Sequence, residues 1–135
     1  MTKWLLDTNA VIALVARRSE PLLRRVEASE PGALAISSIV AHELYFGAYR
    51  SERIEFNLET LRLLFTDLEI LDLDKEDARA AGEIRAELAR RGTPIGPYDL
   101  LIAGQAMARG LPLVSNNTAE FQRIAGLRLE DWTRD

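Results

Sequence analysis

The chain has no cysteine and a single histidine, His42. Disulfide frameworks, zinc ribbons, iron–sulfur ligation and thiol chemistry are excluded, as is any site built from two imidazoles of one chain. Long apolar stretches are also missing. The longest unbroken run, Ala10 to Ala16, has seven residues, far short of the ~20 that span a bilayer, so no membrane association is expected. Asp7 interrupts the N-terminal apolar stretch and Arg17-Arg18 follow it. That pattern argues against a signal peptide and makes the cytoplasm the expected location. Positive charge is not in excess either: 17 Lys and Arg against 21 Asp and Glu leave a net charge of −4. A whole-chain basic footprint for nucleic acid is therefore absent. Lysine occurs at positions 3 and 75 alone, and neither suits the acid-pair-plus-lysine site of a receiver-type signalling domain.

What is present is an ordinary globular balance. With 135 residues, of which 47% are apolar and 28% charged, the chain suffices for one domain, 1–135, with a real hydrophobic core. Disordered and low-complexity classes drop out.

Strand and helix signals alternate along the chain. Lys3 to Asp7 reads as a short buried strand, and Thr8 or Asn9 caps an apolar helix to about Arg18. Glu20 to Ser29 is an amphipathic helix, broken by Pro31-Gly32, and Ala33 to Ile36 is the next strand. Ser37 or Ser38 caps a helix over Ile39 to Arg50, another covers Ile54 to Phe65, and a strand lies near Ile70 to Leu73. Asp74 and Asp77 form a capping arrangement for a polar helix to Arg91, which Gly92 closes. Pro97 opens the helix to Ala108, followed by a strand at Pro112 to Val114, a helix at Thr118 to Ile124 and an edge strand within Leu127 to Glu130. The pattern is three-layer α/β/α with a mostly parallel sheet of four or five strands.

Three acids stand in apolar company: Asp7 after Trp4-Leu5-Leu6, Glu43 within Val40-Ala41-His42-Glu43-Leu44, and Asp99 before Leu100-Leu101-Ile102. Burying an unpaired carboxylate is costly, so each needs compensation. Asp7 ends a strand, where ligands of open α/β sheets gather, although a helix N-cap explains it equally well. Asp99 lies in a first helical turn, where the helix dipole alone would favour it. Glu43 sits in mid-helix with no such explanation, pairing with an arginine being its alternative, and Gly47 leaves its helix face open one turn later. Two carboxylates 4 Å apart repel by roughly 4 kcal/mol at an effective dielectric of 20; a divalent cation reverses that. All-oxygen ligands without cysteine favour Mg²⁺ or Mn²⁺ over zinc.

The turn Ser115-Asn116-Asn117-Thr118-Ala119-Glu120 should reach the same sheet edge. There Asn117 supplies a neutral oxygen or positions a water and Glu120 is a fourth acid, although an Asn in a turn, Thr118 as N-cap and Glu120 as a first-turn partner of the helix dipole explain the segment as well. Thr8 and Asn9 can hydrogen-bond the Asp7 region and orient its carboxylate. His42 points about 100° away from Glu43 and is read as structural. Arginines cluster at 17, 18, 24 and 25, at 50 and 53, and at 90 and 91. Each cluster is a solvated helix end by default, or a phosphate contact if it rings the acids.

These segments resemble PIN-domain nucleases. Leu5-Leu6-Asp7-Thr8-Asn9 is similar to their opening motif, Ser37 to Ser51 to the second with its helix-borne Glu43, and Ile95 to Ala106 to the third with Asp99. Leu113 to Asn117, Glu120-Phe121 and Gly126 to Trp132 resemble the ending of the VapC-type toxin branch. The resemblance implies a PIN-like domain that is a Mg²⁺- or Mn²⁺-dependent endoribonuclease, hydrolysing RNA phosphodiester bonds. It further implies neutralisation by a VapB-type antitoxin, whose C-terminal segment wraps the toxin and can place an arginine near the acids, and a homodimer. Asp7, Glu43 and Asp99 would be the metal-binding acids. Many PIN domains carry another Asp after the fourth strand, where this chain has Asn116-Asn117, leaving Glu120 or Asn117 in that role. That departure keeps a second reading open, a catalytically inactive PIN-like module acting through partner association alone. A phosphatase with Asp7 as nucleophile ranks lower, because Asp7-Thr8-Asn9 lacks the second Asp two residues on.

Overall fold

The computed structural model describes residues 1–134. Five strands form one sheet: β1 (Trp4–Leu6), β2 (Leu34–Ser37), β3 (Glu69–Leu71), β4 (Leu113–Val114) and β5 (Leu129–Glu130). Their spatial order is β3-β2-β1-β4-β5 and every pairing is parallel. Successive strand residues point to opposite faces, yet Leu5 and Leu6 are both 0% exposed, as are Ala35 and Ile36. Both faces are therefore covered, as an all-parallel sheet requires. The helices that cover them are α1 (Thr8–Val15), α2 (Glu20–Ala28), α3 (Ser38–Tyr49), α4 (Ile54–Asp67), α5 (Lys75–Arg90), α6 (Pro97–Arg109) and α7 (Thr118–Phe121). Two helices fill each of the first three crossovers, as the sequence indicated.

The chain moves from β1 outward to β2 and β3, then returns past its start to β4 and β5. Connections thus leave in opposite directions from the neighbours β1 and β4, and a crevice opens beyond their C-terminal ends. Register lines that edge. Leu6 pairs with Ile36 and with Val114, and Val114 with Glu130. One residue further on, Ser37, Asp7, Ser115 and Asp131 stand in a row.

Several boundaries differ from expectation for local reasons. Asp7 itself caps α1, its carboxylate accepting from the Ala10 N–H, so neither Thr8 nor Asn9 is the cap. α1 ends at Val15 rather than Arg18: the Arg18 N–H bonds the Ala13 carbonyl and the Arg17 N–H that of Leu14. This double closure needs a left-handed residue after the cap, and Arg17 adopts φ 53° to supply it. β3 is shifted to Glu69–Leu71, paired through Ile36 to Ile70. α7 stops at Phe121 instead of Ile124, with turns following, and β5 spans Leu129–Glu130 alone.

Other local signals hold. Asp74 and Asp77 form a reciprocal capping box (2.9 and 3.0 Å). Ser37 caps α3, and Pro97 opens α6. Asp77, 1% exposed, also pairs with Arg109 at 3.0 Å and accepts from Gln105 Nε2 at 3.0 Å. Gln105 and Arg109 donate as well to the Asp72 carbonyl just beyond β3. The cluster ties α6 to the start of α5, opposing the burial cost of Asp77 and holding its carboxyl below the usual range.

Candidate active site

Asp7 is the most constrained acid of the crevice. It is 1% exposed, and both carboxylate oxygens are engaged. Oδ1 accepts from the Ala10 N–H at 2.8 Å and Oδ2 from the Ser115 hydroxyl at 2.5 Å. Burial nevertheless dominates, raising its pKa to about 6 against those two hydrogen bonds, with Glu43 and Asp131 adding like charge. Ser115 in turn accepts from the Asn117 N–H at 2.9 Å, which fixes the turn after β4.

Glu43 reaches the edge from the second turn of α3, and its Oε1 accepts from the Thr8 hydroxyl at 2.7 Å. Thr8 therefore orients Glu43 rather than Asp7, and Asn9 is exposed at the mouth. Asp99, in the first turn of α6, is half-buried and meets Glu120 from α7. Desolvation, the hydrogen bond with Glu120 and the charges of Glu120, Asp7 and Glu43 together raise its pKa to about 7. Asp99 therefore keeps its proton to higher pH than an ordinary aspartate.

The acids Asp7, Glu43, Asp99 and Glu120, drawn from four separate segments, feel one another in this crevice. Asn117 joins them through its backbone, and its side chain makes no cap for α7. His42 packs edge-on against Tyr98, centroids 5.7 Å apart. The arginines do not ring the acids. Arg25 and Arg53 lie over Trp132 and Phe56, and Arg90 pairs with Glu87. Arg18 lines a cavity that Asn9 and Asn116 also border.

Ser115 was the residue without a role in the sequence. Its signal is register: a hydroxyl immediately after β4 must stand beside the residue immediately after β1, once those strands are adjacent.

Among the described residues no three acids are already drawn around one point; Glu43 is engaged by Thr8 and Asp99 by Glu120. The donor chemistry still fits a hard divalent cation. Every donor is oxygen, and two carboxyls carry pKa values raised by burial and mutual repulsion, which a cation relieves.

The PIN domain family model matches residues 4–127. The tRNA(fMet)-specific endonuclease VapC of Salmonella typhimurium is 46% identical over 132 residues, covering 98% of this chain and 99% of that protein. Ribonuclease VapC2 of Haemophilus influenzae is 42% identical, with the same coverage. Among solved structures, DNA-bound VapBC from Salmonella typhimurium superposes with a TM-score of 0.93, at 46% identity over 98% of this chain and 99% of that one. DNA-bound VapBC2 from Rickettsia felis gives 0.88 at 35% identity, covering 97% and 99%.

Proposed function

The chain belongs to the PIN-domain family, among its VapC endoribonuclease toxins, and on that footing we propose that it cuts initiator transfer RNA with a divalent cation held by Asp7, Glu43, Asp99 and Glu120. The observation that carries the assignment is the crowding of these acids at the β1–β4 crevice, with Asp7 and Asp99 raised to about 6 and about 7. Strain of this kind between like charges has no structural use that a neutral side chain would not serve better.

Each residue has a defined task. Ser115 and the Ala10 N–H fix both oxygens of Asp7, so its carboxylate is presented without rotamer search. Thr8 holds Glu43 toward the same crevice. The hydrogen bond and charge of Glu120 favour the protonated form of Asp99, a preference that a cation's charge would oppose. Bound Mg²⁺ or Mn²⁺ would supply a water of lowered pKa and positive charge to offset the negative charge that develops on the phosphodiester. Asn117 stands beside this set with its amide free of the α7 cap, suited to holding a water or a phosphate oxygen.

Two further surfaces support partners. A mainly apolar cleft of about 660 Å³, walled by Leu23 and Val26 of α2 and Leu63 and Leu64 of α4, suits an amphipathic segment of a VapB-type antitoxin. Tyr45, Phe46, Tyr49 and Phe56 expose 41–61% of their surface on α3 and α4, an aromatic face suited to a second copy in a homodimer. No helix among the described residues is long and apolar enough to cross a membrane; the cytoplasm, where the RNA is, remains the proposed location.

The test is cleavage of total RNA and of an initiator transfer RNA transcript by purified protein with Mg²⁺, Mn²⁺ or EDTA, beside Asp99→Asn. Discrete, EDTA-sensitive products that vanish in the variant are expected. Full cleavage by Asp99→Asn would overturn the site, and uncut transcript with other RNA cut would overturn the substrate.

A further inference from the structure

A second cavity, of about 420 Å³, is lined by sequence neighbours of Asp7 and Ser115 and has no part in the mechanism above. Two of its walls come from residues beside the reacting edge. Asn9 lies two positions past Asp7, and Asn116 lies between Ser115, which bonds Asp7, and Asn117. The third wall is Arg18, placed there by the left-handed turn at Arg17 that closes α1. Ile12, 39% exposed, and Pro21 contribute apolar surface between these polar groups. Among the described residues, the side chains of Asn9, Arg18 and Asn116 make no hydrogen bond or ion pair. Glu20, the acid that also lines the cavity, forms no ion pair with Arg18.

Resting on the nuclease reading above, we propose that this cavity is a nucleotide subsite for the RNA strand flanking the scissile phosphate. The chemistry is that of a splayed nucleotide. An amide such as Asn9 or Asn116 offers both donor and acceptor to a base edge, Ile12 and Pro21 offer a surface to its face, and Arg18 meets a phosphate. Its size is that of a small-ligand pocket, and two of its lining residues, Asn9 and Asn116, flank the hydrogen-bonded Asp7–Ser115 pair in sequence. A local basic contact of this kind also shows how a chain of net charge −4 engages a polyanion. Arg17 is the independent hint: a non-glycine residue held at φ 53° persists where the surrounding fold demands it, and here the turn delivers its neighbour to the cavity.

The experiment uses the full-length protein, free of antitoxin, on an initiator transfer RNA transcript and on variants of that transcript altered at single nucleotides beside the cut. Arg18→Ala should raise KM about tenfold, the worth of one charge-assisted contact, with a smaller change in kcat. RNA binding by Arg18→Ala in an Asp99→Asn background should show a log–log salt slope shallower by about 0.7–0.9, one phosphate contact. Asn9→Ala and Asn116→Ala should relax discrimination at one flanking base. Unchanged KM, salt slope and base preference in all three variants, beside a cleaving parent, would overturn the subsite alone. So would variants that lose antitoxin affinity while handling RNA normally. A parent that neither binds nor cuts RNA would overturn the nuclease reading, and the subsite with it.

Discussion

Asp7 and Ser115 stand side by side just beyond neighbouring parallel strands, and the 2.5 Å hydrogen bond between them joins the ends of β1 and β4 where the chain order reverses. Through Ser115 the Asn117 N–H joins the same chain of bonds. The most buried acid of the crevice is thereby held from two strands at once.

Ser115→Ala should separate that role from mere packing. The hydroxyl stabilises the ionised form of Asp7, so its loss raises a pKa already near 6 and leaves a buried oxygen without a partner. A stability loss of about 1–3 kcal/mol is expected. The acid limb of the pH–rate profile should move to higher pH, and Ser115→Thr, which keeps the hydroxyl, should restore it. An acid limb unmoved in the alanine variant would show that Ser115 does not tune Asp7.

Stability without metal should fall as pH rises. Asp7 and Asp99 are both raised in the fold, so between about pH 4 and 7 the native state binds more protons than the unfolded chain. Stabilisation is present below the unfolded value of 3.8 and is lost as each group ionises near its folded value. For Asp7 the loss is about 2–3 kcal/mol. Thermal melts in EDTA should therefore show a higher Tm at pH 5 than at pH 8, and Mg²⁺ or Mn²⁺ should recover Tm at pH 8 more than at pH 5. A Tm that rises from pH 5 to 8 in EDTA would contradict the raised carboxyls.

How much of this was legible in the sequence follows from the range of each interaction. Caps and turns depend on residues three or four apart, so the Asp74–Asp77 box and the Pro97 helix start could be read directly. The acids were legible because a carboxylate among leucines is anomalous wherever it lies. Their pairing was not. Thr8 meets Glu43 across 35 positions and Ser115 meets Asp7 across 108, and such partners follow from strand order, which local patterns do not encode. The left-handed Arg17 was hidden for a related reason: arginine is a good helix former, and the closure of α1 overrides that preference. The Asp77–Arg109 pair was not legible, since nothing in a polar helix marks which acid faces inward.

The contact between α5 and α6 depends on Gly104. A Cβ there would lie 2.6 Å from the Cβ of Ala81 and 2.7 Å from its Cα and backbone nitrogen. Because backbone atoms are among those met, repacking a side chain cannot relieve the clash, and the helices must separate. Gly104→Ala should lower the urea midpoint, at about 1–3 kcal/mol, and Ala81→Gly should restore part of it at most. Since α6 carries Asp99, the shift should also reduce cleavage. An unchanged midpoint would mean the helices are less closely packed than their backbones indicate.

Arg17→Gly tests the turn at the end of α1 in the opposite direction. A left-handed arginine costs about 1–2 kcal/mol relative to its helical conformation, whereas glycine adopts φ 53° freely. Glycine also has more conformational freedom to lose on folding, so the net gain should be about 0.5–1 kcal/mol. The Arg18-to-Ala13 and Arg17-to-Leu14 closures use backbone groups that glycine retains, so α1 should still end at Val15. A small rise in the urea midpoint is therefore the expected result, with Arg18 still at its cavity and RNA affinity preserved. If the midpoint falls instead, the Arg17 side chain contributes more to the fold than its backbone conformation costs.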